Sequence, residues 1–585
     1  MCSESNEPFT NGQWLINDVH TVVDEAIMGL VRCNPHLALL DIGRVVIRRD
    51  HQSHEGVKIL SGGASGHEPC FAGFVGRGML TAAVQGGIYS SPTSYTVVRT
   101  IKELSRRHEH GILIIVSNNM SDRLNFGLAV ERANNLPNVQ VKLLCVSDVC
   151  GNKSRSLTGT LLVQKIAGAM AETDASLYDI HTFCSAILCN LATVLVSVKF
   201  SLSPFPEIAT CARFLGQKSM EFGSGLHGEA GYLTTKLKST EETVKMLIAQ
   251  LTDKHVCGTI ELTASIPIIV LVNNLGNTSK LEEHLFLNEL IIQLQSHNIN
   301  ICKIYCGSFL TSLEMAGFSL TVLNVTDPVV LEYINAPCSA PYWKSFTEHV
   351  VASESVVMST VLPSREKHLK TPRGPRINEK TANAIQTAIK FACGALISCE
   401  KQLNLIDSEF GDSDTGTNLK KGCVNILEYL TRDKLTLNWP FMLFEEISKI
   451  LERKADGLLC CLYSIMFASA AKPLVELTEY DDLTPEVWAR VLEAVCSVVQ
   501  SYGQVQLGQC TMYDALYACA DSLRDNLNNE LSSLDLLGVA TIAAEDAARK
   551  TRPVQNVHPD PGAHAVGIWM RAVYEALKLQ NWPLM

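Results

Sequence analysis

Residues 57–69 read VKILSGGASGHEP, a short apolar run that stops in small residues and then presents an imidazole at His67. An apolar run of this length bounded by turn residues predicts a strand buried on both faces of an α/β sheet. The loop at the carboxyl end of such a strand is where ligands tend to bind. The pattern recurs in GILIIVSNN (111–119), VQVKLLCVSD (139–148) and IPIIVLVNNLGN (266–277), each alternating with helical stretches. The chain up to about Val350 therefore reads as α/β.

Further along the composition changes. PSREKHLKTPRGPRINEK (363–380) is basic, contains proline and lacks periodicity, which predicts an interdomain linker over 351–378. Beyond it Ile385, Ile389, Ala392 and Leu396 recur at helical spacing, and the pattern continues through ALYACADSLRDNL and AVGIWMRAVYEALKL. The expected organisation is an α/β domain over 1–350 and an all-α domain over 379–585. A chain of 585 residues is long enough for two or three such domains.

Apolar content of 46% and charged content of 19% describe an ordinary globular protein. A net charge of -11 argues against a nucleic-acid binder, which needs a basic surface. A small acidic or neutral partner suits that charge better. The opening MCSESNEPFTNGQWLIND has neither a basic nor an apolar leader segment, and the expectation is a cytoplasmic protein. The most apolar window, Ala186 to Val198, is shorter than a bilayer span and is interrupted by Asn190, so it reads as a buried helix with no membrane role. The 20 cysteines are scattered; Cys145, Cys150, Cys460 and Cys461 lack paired C-x-x-C spacing, and cysteine reads mostly as core filler.

Three loops in the first half could carry chemistry: GGASGHEP with His67, SNNMSDRLNFG with Asp122, and GSGLHGEAG with His227. Glycines beside a histidine leave room for a substrate to reach its ring nitrogen. Imidazole can add to a carbonyl carbon, and a nearby carboxylate can take a proton from a substrate hydroxyl. Singly, each has a bland alternative, a hydrogen-bonded loop histidine or an aspartate capping a helix. In the second half LNLIDSEFGDSDTGTNL (403–419) sets Asp407, Asp412 and Asp414 within eight residues. Carboxylates this close repel unless a cation neutralises them, and oxygen-only ligands suit Mg²⁺ or Ca²⁺. A solvated acidic loop turning into a helix is the alternative.

With GRGMLTAAVQGGIYSSP, GTLLVQKIAGAMAE, VNNLG, TMYDAL and PDPGA, these stretches resemble the two-domain, ATP-dependent dihydroxyacetone kinases, most closely the animal triokinase/FMN cyclase group. The resemblance spans nearly the whole chain. It implies an α/β kinase-substrate domain joined to a helical-barrel nucleotide domain, and a homodimer. It further implies transfer of the γ-phosphate of ATP to dihydroxyacetone or glyceraldehyde, the carbonyl being held covalently by His227. His67 and Asp122 would bind and activate the attacking hydroxyl, with Ala64, Ser65, Gly66 and Ser117 completing the triose site. Asp407, Asp412 and Asp414 would hold Mg²⁺, and Asp412, Ser413, Asp414, Thr415, Gly457, Thr511 and Met512 would line the ATP site. FMN-forming cleavage of FAD, with Mn²⁺ or Co²⁺, is the related activity at that site.

The sequence also departs from the family pattern. Ser117 stands where the family has a lysine, Ala64 where it has a third glycine, and Ser413 where it has the glycine of G-D-G-D. The phosphate loop reads RKADGLLCCLYS, so that Gly457 alone remains and Leu458, Leu459 and Cys460 follow, with Asp456 before it. The G-R-A-S loop before PDPGA is missing, which leaves Lys550 or Arg552 as stand-ins, and Gln509 and Cys510 replace a charged pair. Backbone amides approach phosphate closely only where side chains are absent. The second expectation is therefore a non-catalytic relative that binds a triose and acts as a sensor or interaction partner.

Overall fold

The computed structural model describes residues 15–580 apart from 107–109, 151–155, 200–214, 216–217, 254–256, 258–259, 314, 344–371, 410, 455–456 and 553–557. The chain forms two compact units, 1–358 and 359–585. The expected linker lies largely outside the described residues, as does Asp456.

In the first unit the strands are β1 (Leu37–Leu39), β2 (Val45–Arg48), β3 (Lys58–Ser65), β4 (Ala82–Ile88), β5 (Ile112–Ser117) and β6 (Val141–Val146), then β7 (Leu191–Lys199), β8 (Ser219–Phe222), β9 (Leu233–Lys236), β10 (Ile268–Asn274), β11 (Ile301–Gly307) and β12 (Ala316–Asn324). Its helices are α1 (Val22–Cys33), α2 (Ser94–Leu104), α3 (Met120–Ala133), α4 (Gly159–Ala171), α5 (Leu177–Ile187), α6 (Thr240–Thr252), α7 (Lys280–Ser296) and α8 (Val329–Asn335). All four sequence-predicted runs are strands: β3, β5, β6 and β10. Instead of one sheet they belong to two, ordered β1-β2-β4-β3-β5-β6 and β11-β10-β12-β7-β8-β9. The neighbours β4, β3, β5 and β6 are parallel, whereas in the second sheet only β10 and β11 are. Helix α4 is buried at every residue because it touches strands of both sheets, including β3, β5, β7 and β12.

One expectation fails here. Ala186–Val198 is not a buried helix: α5 ends at Ile187, and Leu191 onward forms β7, which pairs with β12 and β8. Thr193, Val194, Val196 and Val198 favour a pleated surface over a helix, and sheet pairing satisfies their backbone. The cysteine reading also needs one correction. Sixteen cysteines are outside any disulfide among the described residues, but Cys150, just after β6, and Cys257, just after α6, are joined as one. They are 107 residues apart, a proximity that spacing alone does not reveal.

The second unit is all helix among its described residues: α9 (Glu379–Ser398), α10 (Glu400–Asp407), α11 (Thr415–Thr431), α12 (Pro440–Lys454), α13 (Leu458–Val475), α14 (Pro485–Gly503), α15 (Met512–Asn526), α16 (Ser533–Lys550) and α17 (Pro561–Leu579). From α11 onward each helix packs on the next, and α17 returns to pack on α9, which itself touches α11; the ring is a closed helical barrel. Its interior is one apolar cluster that includes Leu396, Leu419, Leu474, Leu516 and Val566. Helix α13 is long and apolar enough to cross a membrane by length and composition. Here it serves as a barrel stave packed between α12 and α14.

Candidate active site

Parallel strands β4, β3 and β5 are neighbours, so the loops at their carboxyl ends come together. Residues 64–68 follow β3, Tyr89 to Ser91 follow β4, and the segment leading to Asp122 follows β5. The bland reading of Asp122 as a cap is excluded, because Asn119 caps α3 by accepting from the Ser121 amide. The Asp122 carboxylate instead accepts a hydrogen bond from the Ser91 hydroxyl at 2.5 Å. Its other oxygen stands 3.5 Å from where a Cβ on Gly63 would lie, which brings the β5 loop against the β3 loop. Asp122 is only 6% exposed, and burial raises its carboxyl to about 6, with the Ser91 bond pulling the other way.

His227 enters from the second sheet, on the turn between β8 and β9. Its ring stacks on that of His67 with centroids 4.9 Å apart, and the two Nε2 atoms are 2.8 Å from each other. His67 Nδ1 lies 2.8 Å from the Thr311 carbonyl oxygen, so the hydrogen-bond network assigns the His67 proton to Nδ1 and leaves its Nε2 as an acceptor. The proton between the rings then belongs to His227. Burial, and after it the nearby His227, lowers His67 to about 3, so it stays neutral. The His227 amide donates to the Glu229 carboxylate at 3.0 Å, which holds the turn.

Of the remaining sequence-predicted residues, Ala64, Ser65 and Gly66 line the β3 loop; Ser65 donates to the Gly86 carbonyl, and the Gly66 amide to Glu68. Ser117 closes β5 with its hydroxyl 3.4 Å from Thr160, at the same sheet end but turned toward α4. Tyr89, Ser91, Thr311 and Ser312 were not read as site residues. Tyr89 and Ser91 sat in the quoted GGIYSSP. Nothing local marks Thr311 or Ser312, whose partners are distant in sequence.

In the helical unit, oxygens of Asp407, Asp412 and Asp414 all lie within 4.8 Å of one another. Asp407 is buried, and one of its oxygens accepts from the Asp414 and Thr415 amides at 2.9 and 3.0 Å, which fixes the loop. Asp414 occupies the N-cap position of α11 but makes no side-chain cap bond, so the helix-turn alternative does not use its carboxylate. Ser413, next to both Asp412 and Asp414, has φ of +65°, the left-handed conformation that favours glycine. A buried anchor with two further carboxylates facing the same point is a donor set that fits a hard divalent cation.

The barrel also gathers helix N-termini. Gly457 caps α13 at φ +92° with no side-chain cap bond, packed against Asn418 of α11. Thr511 forms a capping box with Asp514 at the start of α15. A Cβ on Gly562, in the first turn of α17, would stand 3.1 Å from Asp560, 3.2 Å from Met512 and 3.5 Å from Leu459. The starts of α13, α15 and α17 thus meet, adjoining α11, and their amides and dipoles favour an anion. Leu458, the first residue of α13, is 85% exposed at this end. Asp560, in PDPGA, is raised to about 6, chiefly by burial.

A Dak1 domain matches residues 28–342 and a DAK2 domain matches residues 409–575, so this is a two-domain protein of the Dak1 and DAK2 type. Triokinase/FMN cyclase of Bos taurus is 31% identical over 97% of this chain and 99% of its own length. The crystal structure of the dihydroxyacetone kinase from C. freundii in complex with AMP-PNP and Mg²⁺ matches with a TM-score of 0.69 at 29% identity, covering 96% of this chain and 99% of that one. A dihydroxyacetone kinase operon co-activator matches with a TM-score of 0.50 at 28% identity, covering 55% of this chain and 97% of that one. The chain belongs to the dihydroxyacetone kinase family.

Proposed function

We propose that this protein transfers the γ-phosphoryl group of ATP to a three-carbon hydroxyketone or aldose, dihydroxyacetone or glyceraldehyde, held by His227. The observation that carries the reading is the contact between His67 and His227, which sets a neutral acceptor nitrogen against the proton of a second imidazole. As His227 Nε2 forms a bond to the carbonyl carbon, its proton passes to His67 Nε2, the carbonyl π pair moves to oxygen, and His67 returns the proton to that oxygen. The product is a hemiaminal and both imidazoles end neutral. A group held down to about 3 keeps the proton only in passing. Asp122, raised to about 6 and therefore ionised at neutral pH, takes the proton of the attacking hydroxyl.

Asp407, Asp412 and Asp414 would hold Mg²⁺, whose chemistry is to neutralise phosphate charge. The amides at the start of α13, with Gly457, would receive the phosphates, since no side chain caps that helix, and Ser413, Thr415, Thr511 and Met512 would line the rest of the nucleotide site. Relatives that carry the names dihydroxyacetone kinase and triokinase, and the nucleotide complex of the C. freundii enzyme, support this reading. FAD cleavage to cyclic FMN would use the same nucleotide site and stands or falls with it.

One observation favours a second reading, a triose-binding partner without phosphoryl transfer. Exposed Leu458 occupies the place where phosphate would approach α13, and a dihydroxyacetone kinase operon co-activator matches 55% of this chain. The two readings part over ATP. Calorimetric titration with Mg²⁺ and AMP-PNP, followed by dihydroxyacetone, separates them. Nucleotide bound at a Kd of about a millimolar or tighter supports the kinase. Triose binding without nucleotide binding supports the partner.

A further inference from the structure

Tyr89 stands where the loops of the histidine site cross. It follows β4 with φ of +51°, a left-handed conformation rare for a bulky side chain. Its amide donates to the Ser65 carbonyl at 2.9 Å, tying it to the loop that carries His67. Its ring centroid is 4.8 Å from that of His227 and 5.5 Å from that of His67, so one side chain touches both imidazoles. Its hydroxyl is 3.1 Å from Ser312 Oγ, and Ser312 Oγ donates to the carbonyl of Leu226, the residue before His227. Since the one Ser312 proton goes to Leu226, Ser312 accepts from Tyr89. The preceding residue, Thr311, fixes the His67 proton through its carbonyl. Adjacent residues of one segment therefore hold the two histidines, Thr311 directly and Ser312 through the Leu226 carbonyl, and Tyr89 donates to the hydroxyl that makes the second hold.

We infer that Tyr89 is a positioning residue for His227: its hydroxyl, relayed through Ser312 to the Leu226 carbonyl, fixes the turn so that the His227 proton points at His67. The ring packs the pair and the hydroxyl sets its register. This rests on the proposed role of the histidines in holding the substrate, but its consequence is already visible without substrate. With the relay intact His227 carries its proton on Nε2. With the relay cut the turn relaxes and the ring samples both tautomers.

Histidine ring ¹⁵N NMR of the full-length, ligand-free protein reads this, His67 and His227 being assigned by the signals that His67→Gln and His227→Gln remove. Parent, Tyr89→Phe, Ser312→Ala and the double variant are compared, with thermal unfolding of each as the check on folding. The expected result is one fixed His227 tautomer in the parent and a mixture in each single variant, with no further change in the double variant, because both changes cut the same relay. Where the parent forms a ketone adduct, each single variant should weaken it about tenfold, the value of one well-placed hydrogen bond, and the double variant no more. A fixed tautomer retained in Tyr89→Phe, or double-variant effects equal to the product of the single ones, would overturn the inference. An adduct missing from the parent would count against the proposed function alone, since the tautomer readout does not need it. If Tyr89→Phe does not fold, Ser312→Ala gives the same test from the other end.

Discussion

The Nε2 atoms of His67 and His227 lie 2.8 Å apart, although 160 positions separate the two residues in the chain. One nitrogen can act as nucleophile only when the other takes its proton, so the pair divides the work unequally. With dihydroxyacetone labelled with ¹³C at the carbonyl, His227→Ala should abolish any signal of a tetrahedral carbon bound to protein. His67→Gln should keep that signal but form it roughly 100-fold more slowly, the usual loss for a missing proton carrier. A tetrahedral signal persisting in His227→Ala would move the anchor to another residue.

Asp122 sets the acid limb of the pH profile. Its carboxyl is raised to about 6 by burial, so kcat/KM for phosphoryl transfer should fall tenfold per pH unit below about 6. The Ser91 hydroxyl donates to the charged form and therefore lowers that value. Ser91→Ala should move the limb toward higher pH, and an unmoved limb would assign it to another group.

The same shift has a stability consequence of defined sign. The folded value of Asp122 lies above the 3.8 of an ordinary aspartate, so its protonated form favours the fold below about pH 4, and this contribution is lost as pH rises through about 6. At pH 8 the buried charge costs on the order of 2–3 kcal/mol. Asp122→Asn should therefore melt higher than the parent at pH 8 and about equally at pH 4, while losing transfer. A lower melting temperature at both values would contradict the burial argument.

The strands around this site were legible because each is an apolar run ending in small residues, and an apolar run without alternation reports burial on both faces. Two separate sheets were not, since the register that joins β7 to β12 spans more than a hundred residues and leaves no local mark. Ala186–Val198 misled for a related reason: helix and buried strand look alike in a short apolar window, and only the β-branched residues after Asn190 argue for the strand. His67 and His227 stood out through glycine-flanked loops, Asp122 through its place after a strand, and all three through family resemblance. Thr311 and Ser312 act through a carbonyl and a relayed hydroxyl, chemistry that any loop residue could supply.

Helix α4 threads between the sheets at the cost of tolerance. A Cβ on Gly168 would overlap the backbone of Met79, which is buried and has little room to move. Gly168→Ala should destabilise the first unit by about 2–3 kcal/mol, the upper range for overpacking a core. Gly127, within α3, has open space where its Cβ would go, and Gly127→Ala should stabilise by about 0.5–1 kcal/mol through helix propensity. Urea unfolding followed by a probe in this domain distinguishes them, and equal midpoints would mean that α4 packs less closely than described.

The helical domain poses the sharper question, because it holds both a carboxylate cluster and an exposed leucine at the start of α13. Asp407 is held by two amides and stays in place whichever neighbour is altered, so Asp412→Asn removes one candidate ligand without dismantling the loop. At AMP-PNP 100-fold above its Kd, binding should stabilise the parent by about 2.7 kcal/mol, and Asp412→Asn should lose the Mg²⁺-dependent part. Leu458 is exposed and packs little, so Leu458→Ser should leave the melting temperature of the free protein nearly unchanged. If phosphate approaches the start of α13, the smaller side chain should tighten AMP-PNP binding. Unchanged affinity in both variants would put nucleotide elsewhere or nowhere, whereas tighter binding in Leu458→Ser and weaker binding in Asp412→Asn would mark one site that this leucine narrows without closing.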